Sequence, residues 1–245
     1  MKKLSLYMTP LLLPLALMAC SAADSQVQTE PVSTETAAQT DMSDTQGSME
    51  SQETSQMDEA MTEEATRAGG MKTAVVAGGC FWCVESDFEK LDGVSEVVSG
   101  YTGGTTVNPT YEEVTYDNTG HYEAAEIYYD PSVVSYDELL DYYWKTIDPT
   151  DANGQFCDQG DSYRTAIFAT PEQKAAAEAS LADIKQTKPF NAPIVTPVKE
   201  LGEFYKAEDY HQDYYKKSSL KYKFYRTRCG RDGRLEDLWG EVVTD

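Results

Sequence analysis

The chain has 245 residues, enough for one sizeable domain or two small ones, and 40% of them are hydrophobic, which suffices for a real core. Forty-two acidic against 20 basic residues give a formal charge of −22, which argues against a phosphate backbone or an anionic lipid surface as partner. The composition is neither collagenous nor disulfide-dense.

Lys2 and Lys3 form a basic start, and Leu4 to Met18 an apolar stretch interrupted by Pro10 and Pro14, too short to span a membrane. It ends in Leu17-Met18-Ala19-Cys20, which resembles the bacterial lipobox, where the signal peptide is cut before a cysteine that takes the lipid. The other reading is an ordinary cleaved signal with an incidental Cys20. Under either, residues 1–19 are expected to be a signal peptide and the mature protein to leave the cytoplasm for the cell envelope. Residues 20–70 are Ser-, Thr-, Gln- and Glu-rich with few large apolar side chains, and read as a disordered acidic tether. The remaining 71–245, with 31 acids and 17 bases, form the expected folded domain, and their acidity reads as solvated surface.

Thr73 to Ala77 reads as a buried strand closed by Gly78-Gly79. A helix follows, with Val84, Phe88 and Leu91 facing inward and Glu85, Asp87 and Lys90 outward, so that Cys80 sits at its N-terminus. Val94–Tyr101, Glu123–Tyr129, Arg164–Ala169 and Ile194–Leu201 are further strands. Ser135–Ile147, Pro171–Lys185 and an aromatic-rich Glu208–Lys217 are helices, the first turning Leu139, Leu140 and Tyr143 inward. Strands and helices mix without strict alternation, which predicts a single α+β domain with a mixed sheet and packed helices.

The chemistry centres on Gly79-Cys80-Phe81-Trp82-Cys83. A thiol attacks as thiolate, and free N–H groups at a helix N-terminus favour that form, so Cys80 is the nucleophile candidate. Cys83, one turn on, is placed to trap an oxidised Cys80 as a disulfide. Phe81 and Trp82 are either an apolar wall beside the sulfur or core aromatics. A zinc half-site lacks a second Cys pair or paired histidines, and a static disulfide within one helical turn closes too short a loop to staple a fold.

Gly79-Cys80-Phe81-Trp82 is followed by Gly100-Tyr101-Thr102-Gly103-Gly104, Asn108-Pro109-Thr110-Tyr111, Gly120-His121-Tyr122-Glu123, Tyr128-Tyr129-Asp130-Pro131, Asp158-Gln159-Gly160-Asp161-Ser162-Tyr163-Arg164 and Ala207-Glu208-Asp209-Tyr210-His211-Gln212. This ordered set, across about residues 71–225, resembles the peptide methionine sulfoxide reductase A family. The resemblance implies reduction of the S epimer of methionine sulfoxide, free or in oxidised proteins, with no metal and no organic cofactor. It implies that Cys80 attacks the sulfoxide sulfur, that Glu123 protonates the departing oxygen, and that Tyr111 and Tyr163 hold that oxygen. It also gives Asp158 the task of ordering water and substrate, and makes Phe81 and Trp82 the box for the S-methyl group. Burial should raise the Glu123 pKa so that it carries a proton.

Resolution of oxidised Cys80 falls to Cys83 or, alternatively, to Cys229 near the C-terminus, which would need its tail to fold back. Cys157, beside Asp158, is a third candidate, equally readable as a buried bystander, and His121 and His211 read as structural residues. A thioredoxin or exported thioredoxin-like dithiol is the implied reductant. Competing readings are a general thiol–disulfide oxidoreductase resting on Cys80 and Cys83, and a module that binds oxidised methionine without converting it.

Overall fold

The innermost strand is β1 (Lys72–Gly78), fully buried from Ala74 to Gly78, because its side chains are small or β-branched and both sheet faces are covered. The computed structural model describes residues 70–240. The expected signal peptide, Cys20 and nearly all of the acidic tether lie outside the described residues. Antiparallel partners flank β1: β3 (Tyr122–Tyr129) on one side and β6 (Thr165–Ala169) on the other. Antiparallel β2 (Val94–Thr102) and β8 (Phe204–Lys206) extend the sheet beyond β3, and β7 (Val198–Glu200) joins β6 in parallel, giving the order β7-β6-β1-β3-β2-β8. A separate two-stranded hairpin joins β4 (Gly154–Gln155) to β5 (Asp158–Gln159). The mixed sheet with packed helices is the α+β domain expected.

The main core lies on one face, where Ala74, Val76, Ala125 and Ile127 meet helices α1 (Phe81–Phe88), α3 (Tyr136–Lys145) and α4 (Lys174–Thr187). The inward residues of α3 are Leu139, Leu140, Tyr143 and Trp144. Its start is fixed by a capping box in which the Glu138 N–H donates to Ser135 Oγ and the Ser135 N–H to Glu138. The opposite face carries Val75, Ala77, Tyr122, Ala124 and Phe168. Side chains alternate along β3, so Glu123 points to the same face as Ala125 and Ile127, toward α1.

Several local expectations change. Glu85 and Asp87 are buried, because the outward face of α1 is roofed by helices α5 (Tyr214–Lys217), α6 (Ser219–Cys229) and α7 (Arg231–Trp239). Arg226 donates to Asp87 Oδ1 at 2.6 Å, and Arg231 donates to the carbonyls of Gly78 and Thr146 at 3.2 and 2.7 Å. Of the expected helix Glu208–Lys217 only the last turn forms, since Asp213 adopts a left-handed conformation at φ 53°. The strand expected over Ile194–Leu201 shrinks to Val198–Glu200, because Pro193 and Pro197 offer no N–H to a ladder. A short helix, α2 (Tyr111–Tyr116), arises at a second capping box, Thr110 with Glu113. Among the described residues no helix is long and apolar enough to cross a membrane.

Gly79 makes the strand-to-helix turn possible. Its φ is +80°, and a Cβ there would stand 2.5 Å from Cβ of Gln155, whose amide is tied to the backbone of Asp148 by bonds of 2.9 and 2.8 Å and cannot step aside. Gly79→Ala should therefore cost about 2–4 kcal/mol, from the left-handed backbone plus overpacking. Urea unfolding of this variant measures the loss, and a change below about 0.5 kcal/mol would contradict the account.

Candidate active site

Cys80 is the N-cap residue of α1, held between the Gly79 turn and the first buried turn of the helix. One cavity of about 70 Å³ is lined by Cys80, Phe81, Trp82, Tyr111, Glu123, Asp158, Tyr163 and Tyr225. All seven residues expected to act on or hold the substrate thus converge from α1, α2, β3, β5 and the 3₁₀ turn Asp161–Tyr163. Larger surface grooves exist, including one of about 480 Å³ between Asn108–Thr110 and Glu203–Lys206, but they contain neither cysteine nor Glu123. The small cavity has the reactive groups, and its volume is roughly that of two water molecules, a fit for a methyl sulfoxide head group.

Glu123 is 2% exposed and accepts a 3.0 Å hydrogen bond at Oε2 from the N–H of Phe81, one of the unpaired donors at the start of α1. Burial raises its pKa to about 8, against the pull of that bond, with the nearby Asp158 adding to the rise. The carboxyl therefore holds its proton near neutral pH.

The expectation for Cys80 needs correction. Burial, followed by the hydrogen bond to Cys83, pushes its thiol well above the ordinary value, outweighing the helix N-terminus. Cys83 is held down by its hydrogen bond with Cys80, and the guanidinium groups of Arg231 and Arg226 act in the same direction. The two sulfurs form a coupled pair that shares one proton once the first is lost.

The aromatic box is built by packing. Phe81 lies among Tyr101 and His211, at ring distances of 5.9 and 4.8 Å. Trp82 stacks on Tyr214 at 3.9 Å and donates its Nε1–H to Nδ1 of His211 at 3.1 Å. His211 is buried and its pKa is lowered by that burial, so the neutral ring accepts from Trp82. Glu208 accepts from the Tyr111 N–H and the Tyr101 hydroxyl, both at 2.9 Å, and so fixes the start of α2. Tyr111, Tyr163 and Glu123 line the same cavity. His121 lies outside the cavity, with Nε2 at 2.8 Å from the Thr106 carbonyl and Nδ1 accepting from the Gly104 N–H, a loop-to-strand tie as expected.

Cys157 and Cys229 form a disulfide, leaving Cys80 and Cys83 as the free cysteines among the described residues. Cys229, the alternative resolving residue, is therefore engaged elsewhere, and Cys157 is exposed at the surface, not buried. Sulfur and carboxylate atoms of Cys157, Asp158 and Cys229 lie within 4.8 Å of one another, but with both sulfurs spent in the disulfide they offer no thiolate to a metal. Tyr225 was missed by sequence reasoning. Its hydroxyl donates to Asp158 Oδ2, and no motif in Lys223-Phe224-Tyr225-Arg226 announces it.

The sequence profile described as peptide methionine sulfoxide reductase matches residues 72–242. The chain belongs to the peptide methionine sulfoxide reductase family. It is 49% identical over 180 residues to peptide methionine sulfoxide reductase MsrA 2 of Caulobacter vibrioides, covering 73% of this chain and 91% of that one. It is 51% identical over 168 residues to the MsrA of Bacillus subtilis, covering 68% of this chain and 95% of that one. Among solved structures it resembles methionine sulfoxide reductase A of Corynebacterium diphtheriae, with TM-score 0.58, 34% identity, 62% of this chain and 77% of that one. The protein is an oxidoreductase that returns methionine sulfoxide to methionine.

The reductase holds one more proton at Glu123 when folded than when unfolded between about pH 4.5 and about 8. This site therefore contributes a loss of stability as pH rises through that window. Glu123→Gln should remove its share of the slope, seen in denaturant unfolding from pH 5 to 8. The carbon-13 carboxyl signal of Glu123 should titrate near pH 8. A midpoint in the ordinary carboxylate range would contradict the assignment of Glu123 as a proton carrier.

Proposed function

We propose that this reductase acts on the S epimer of methionine sulfoxide through Cys80 as nucleophile and Glu123 as acid. The observation that carries the reading is the placement of a buried, proton-bearing carboxyl in the same small cavity as the Cys80 sulfur. Transfer of the shared proton from Cys80 to Cys83 gives a Cys80 thiolate. That thiolate attacks the sulfoxide sulfur while the Glu123 carboxyl protonates the oxygen as the S–O bond breaks. The oxygen departs as water, leaving Cys80 bonded to the sulfur of a sulfonium; a water then attacks the Cys80 sulfur, giving up a proton, and breaks that S–S bond, so that Cys80 becomes a sulfenic acid and methionine departs with both electrons.

Tyr111 and Tyr163 hold the oxygen by their hydroxyls, Phe81 and Trp82 enclose the methyl group, and Asp158 orders the polar end of the cavity. A pocket that fixes methyl, oxygen and chain direction around one sulfur stereocentre accepts one epimer. Cys83 then attacks the sulfenic sulfur, releasing water and forming a Cys80–Cys83 disulfide. It is favoured over Cys229 because it is free and hydrogen-bonded to Cys80. An external dithiol of the thioredoxin type supplies the two electrons that reopen this bond.

Both free methionine sulfoxide and oxidised proteins are proposed substrates. Lys2, Lys3, the apolar stretch to Met18 and the Leu17-Met18-Ala19-Cys20 sequence support an exported, lipid-anchored enzyme of the cell envelope, whose reductant is then an exported dithiol protein.

Cys80→Ser should abolish methionine formation, and retained turnover would remove Cys80 from the chemistry. Glu123→Gln should slow oxygen transfer by about 10²- to 10⁴-fold. Cys83→Ser should yield one methionine per enzyme and stop there, with a sulfenic acid detectable on Cys80. Continued recycling by that variant would shift resolution to another sulfur.

A further inference from the structure

Two links lie side by side between the β4–β5 hairpin and α6. The first is covalent: Cys157, at the hairpin tip, bonds Cys229, the last residue of α6, across 72 residues of sequence. The second is the bond from the Tyr225 hydroxyl to Asp158. Asp158 directly follows Cys157, and Tyr225 precedes Cys229 by four residues, one helical turn, so the two links share a helix face. Tyr225 and Asp158 both line the reaction cavity with Cys80. The rest of α6 is held farther from the hairpin, by buried Tyr222 and by Arg226, which donates to Asp87 Oδ1 at 2.6 Å. Cys157 is exposed whereas Cys80 and Cys83 are buried, so a small reductant can reach one pair without entering the cavity.

We propose that the Cys157–Cys229 disulfide is a positioning element of the active site, holding the Tyr225 hydroxyl between Asp158 and Cys80, so that breaking the disulfide slows the oxygen-transfer step itself. The disulfide does not exchange with the substrate. A dithiol breaks it by donating two electrons, leaving two thiols on the protein and becoming a disulfide. The inference rests on Cys80 being the nucleophile.

The test compares three forms: wild-type protein with two free thiols, wild-type protein reduced to four free thiols, and C157S/C229S. Each is mixed with methionine sulfoxide and followed through a single turnover without added reductant. Separately, alkylation of Cys80 by iodoacetamide is followed by peptide mass against pH. The four-thiol protein and the serine variant should both turn over about tenfold more slowly than the two-thiol protein, in line with loss of a positioned group. Their Cys80 alkylation midpoint should shift from that of the two-thiol protein, because the hydroxyl and carboxyl groups beside the sulfur are no longer held in place. Tyr225→Phe should slow the disulfide-bearing protein similarly and add little in the C157S/C229S background.

Equal rates and equal midpoints in all three forms would overturn the proposal, as would full additivity of Tyr225→Phe. A serine variant with normal single turnover but no recycling would overturn it in favour of an electron relay. Failure of the two-thiol wild-type protein to make any methionine would instead refute the reading of Cys80.

Discussion

The hydrogen bond from the Phe81 N–H to Glu123, 3.0 Å long and buried, is the contact on which the rest of the site depends. It joins the first turn of α1 to β3, and so fixes Cys80 and Glu123 in one frame. The helix start needs an acceptor for its free N–H, and the carboxyl needs a partner once it has left water. Had that bond prevailed, Glu123 would be ionised and useless as an acid. Burial prevails, with Asp158 adding to the rise, and the proton stays on a group that still has one oxygen anchored.

The same burial acts on Cys80 and raises its thiol, so a cavity that keeps the acid protonated also resists thiolate formation. Pairing with Cys83 relieves this conflict, since one negative charge can be shared across two sulfurs near Arg231 and Arg226. Those arginines come from the C-terminal helices and stand over Asp87 of α1, whose carboxyl is pushed up by burial and pulled back by both. The C-terminal segment is therefore more than a lid. It places positive charge behind the sulfur pair, stacks Tyr214 on Trp82, and brings Tyr225 to Asp158.

Strands β1, β2, β3 and β6 and helices α1, α3 and α4 were legible where local pattern and tertiary role agree: the apolar run at Val75–Val76, the apolar face of α3, the glycine pair before Cys80. Seven of the eight cavity residues could be named because they sit in ordered motifs, although nothing in periodicity alone singles out Tyr111 or Tyr163 among 17 tyrosines. What failed was set by distant partners. Glu85 and Asp87 look like a solvent face until α5, α6 and α7 cover them. Tyr225 carries no local signal, and the Cys157–Cys229 pairing spans 72 residues and cannot be chosen from spacing. The sign of the Cys80 shift was likewise beyond the sequence, since it depends on how deeply the helix start is buried.

The central claim is that Cys80 attacks the sulfoxide and Cys83 resolves the sulfenic acid while Cys157–Cys229 stays intact. Intact-mass analysis after one equivalent of methionine S-sulfoxide, followed by disulfide mapping without reduction, tests it most directly. The account predicts one methionine formed, a loss of about 2 Da, and peptides joined as Cys80–Cys83 and Cys157–Cys229. A new bond from Cys80 to Cys229 or Cys157, or methionine formed with Cys80 still a free thiol, would contradict it.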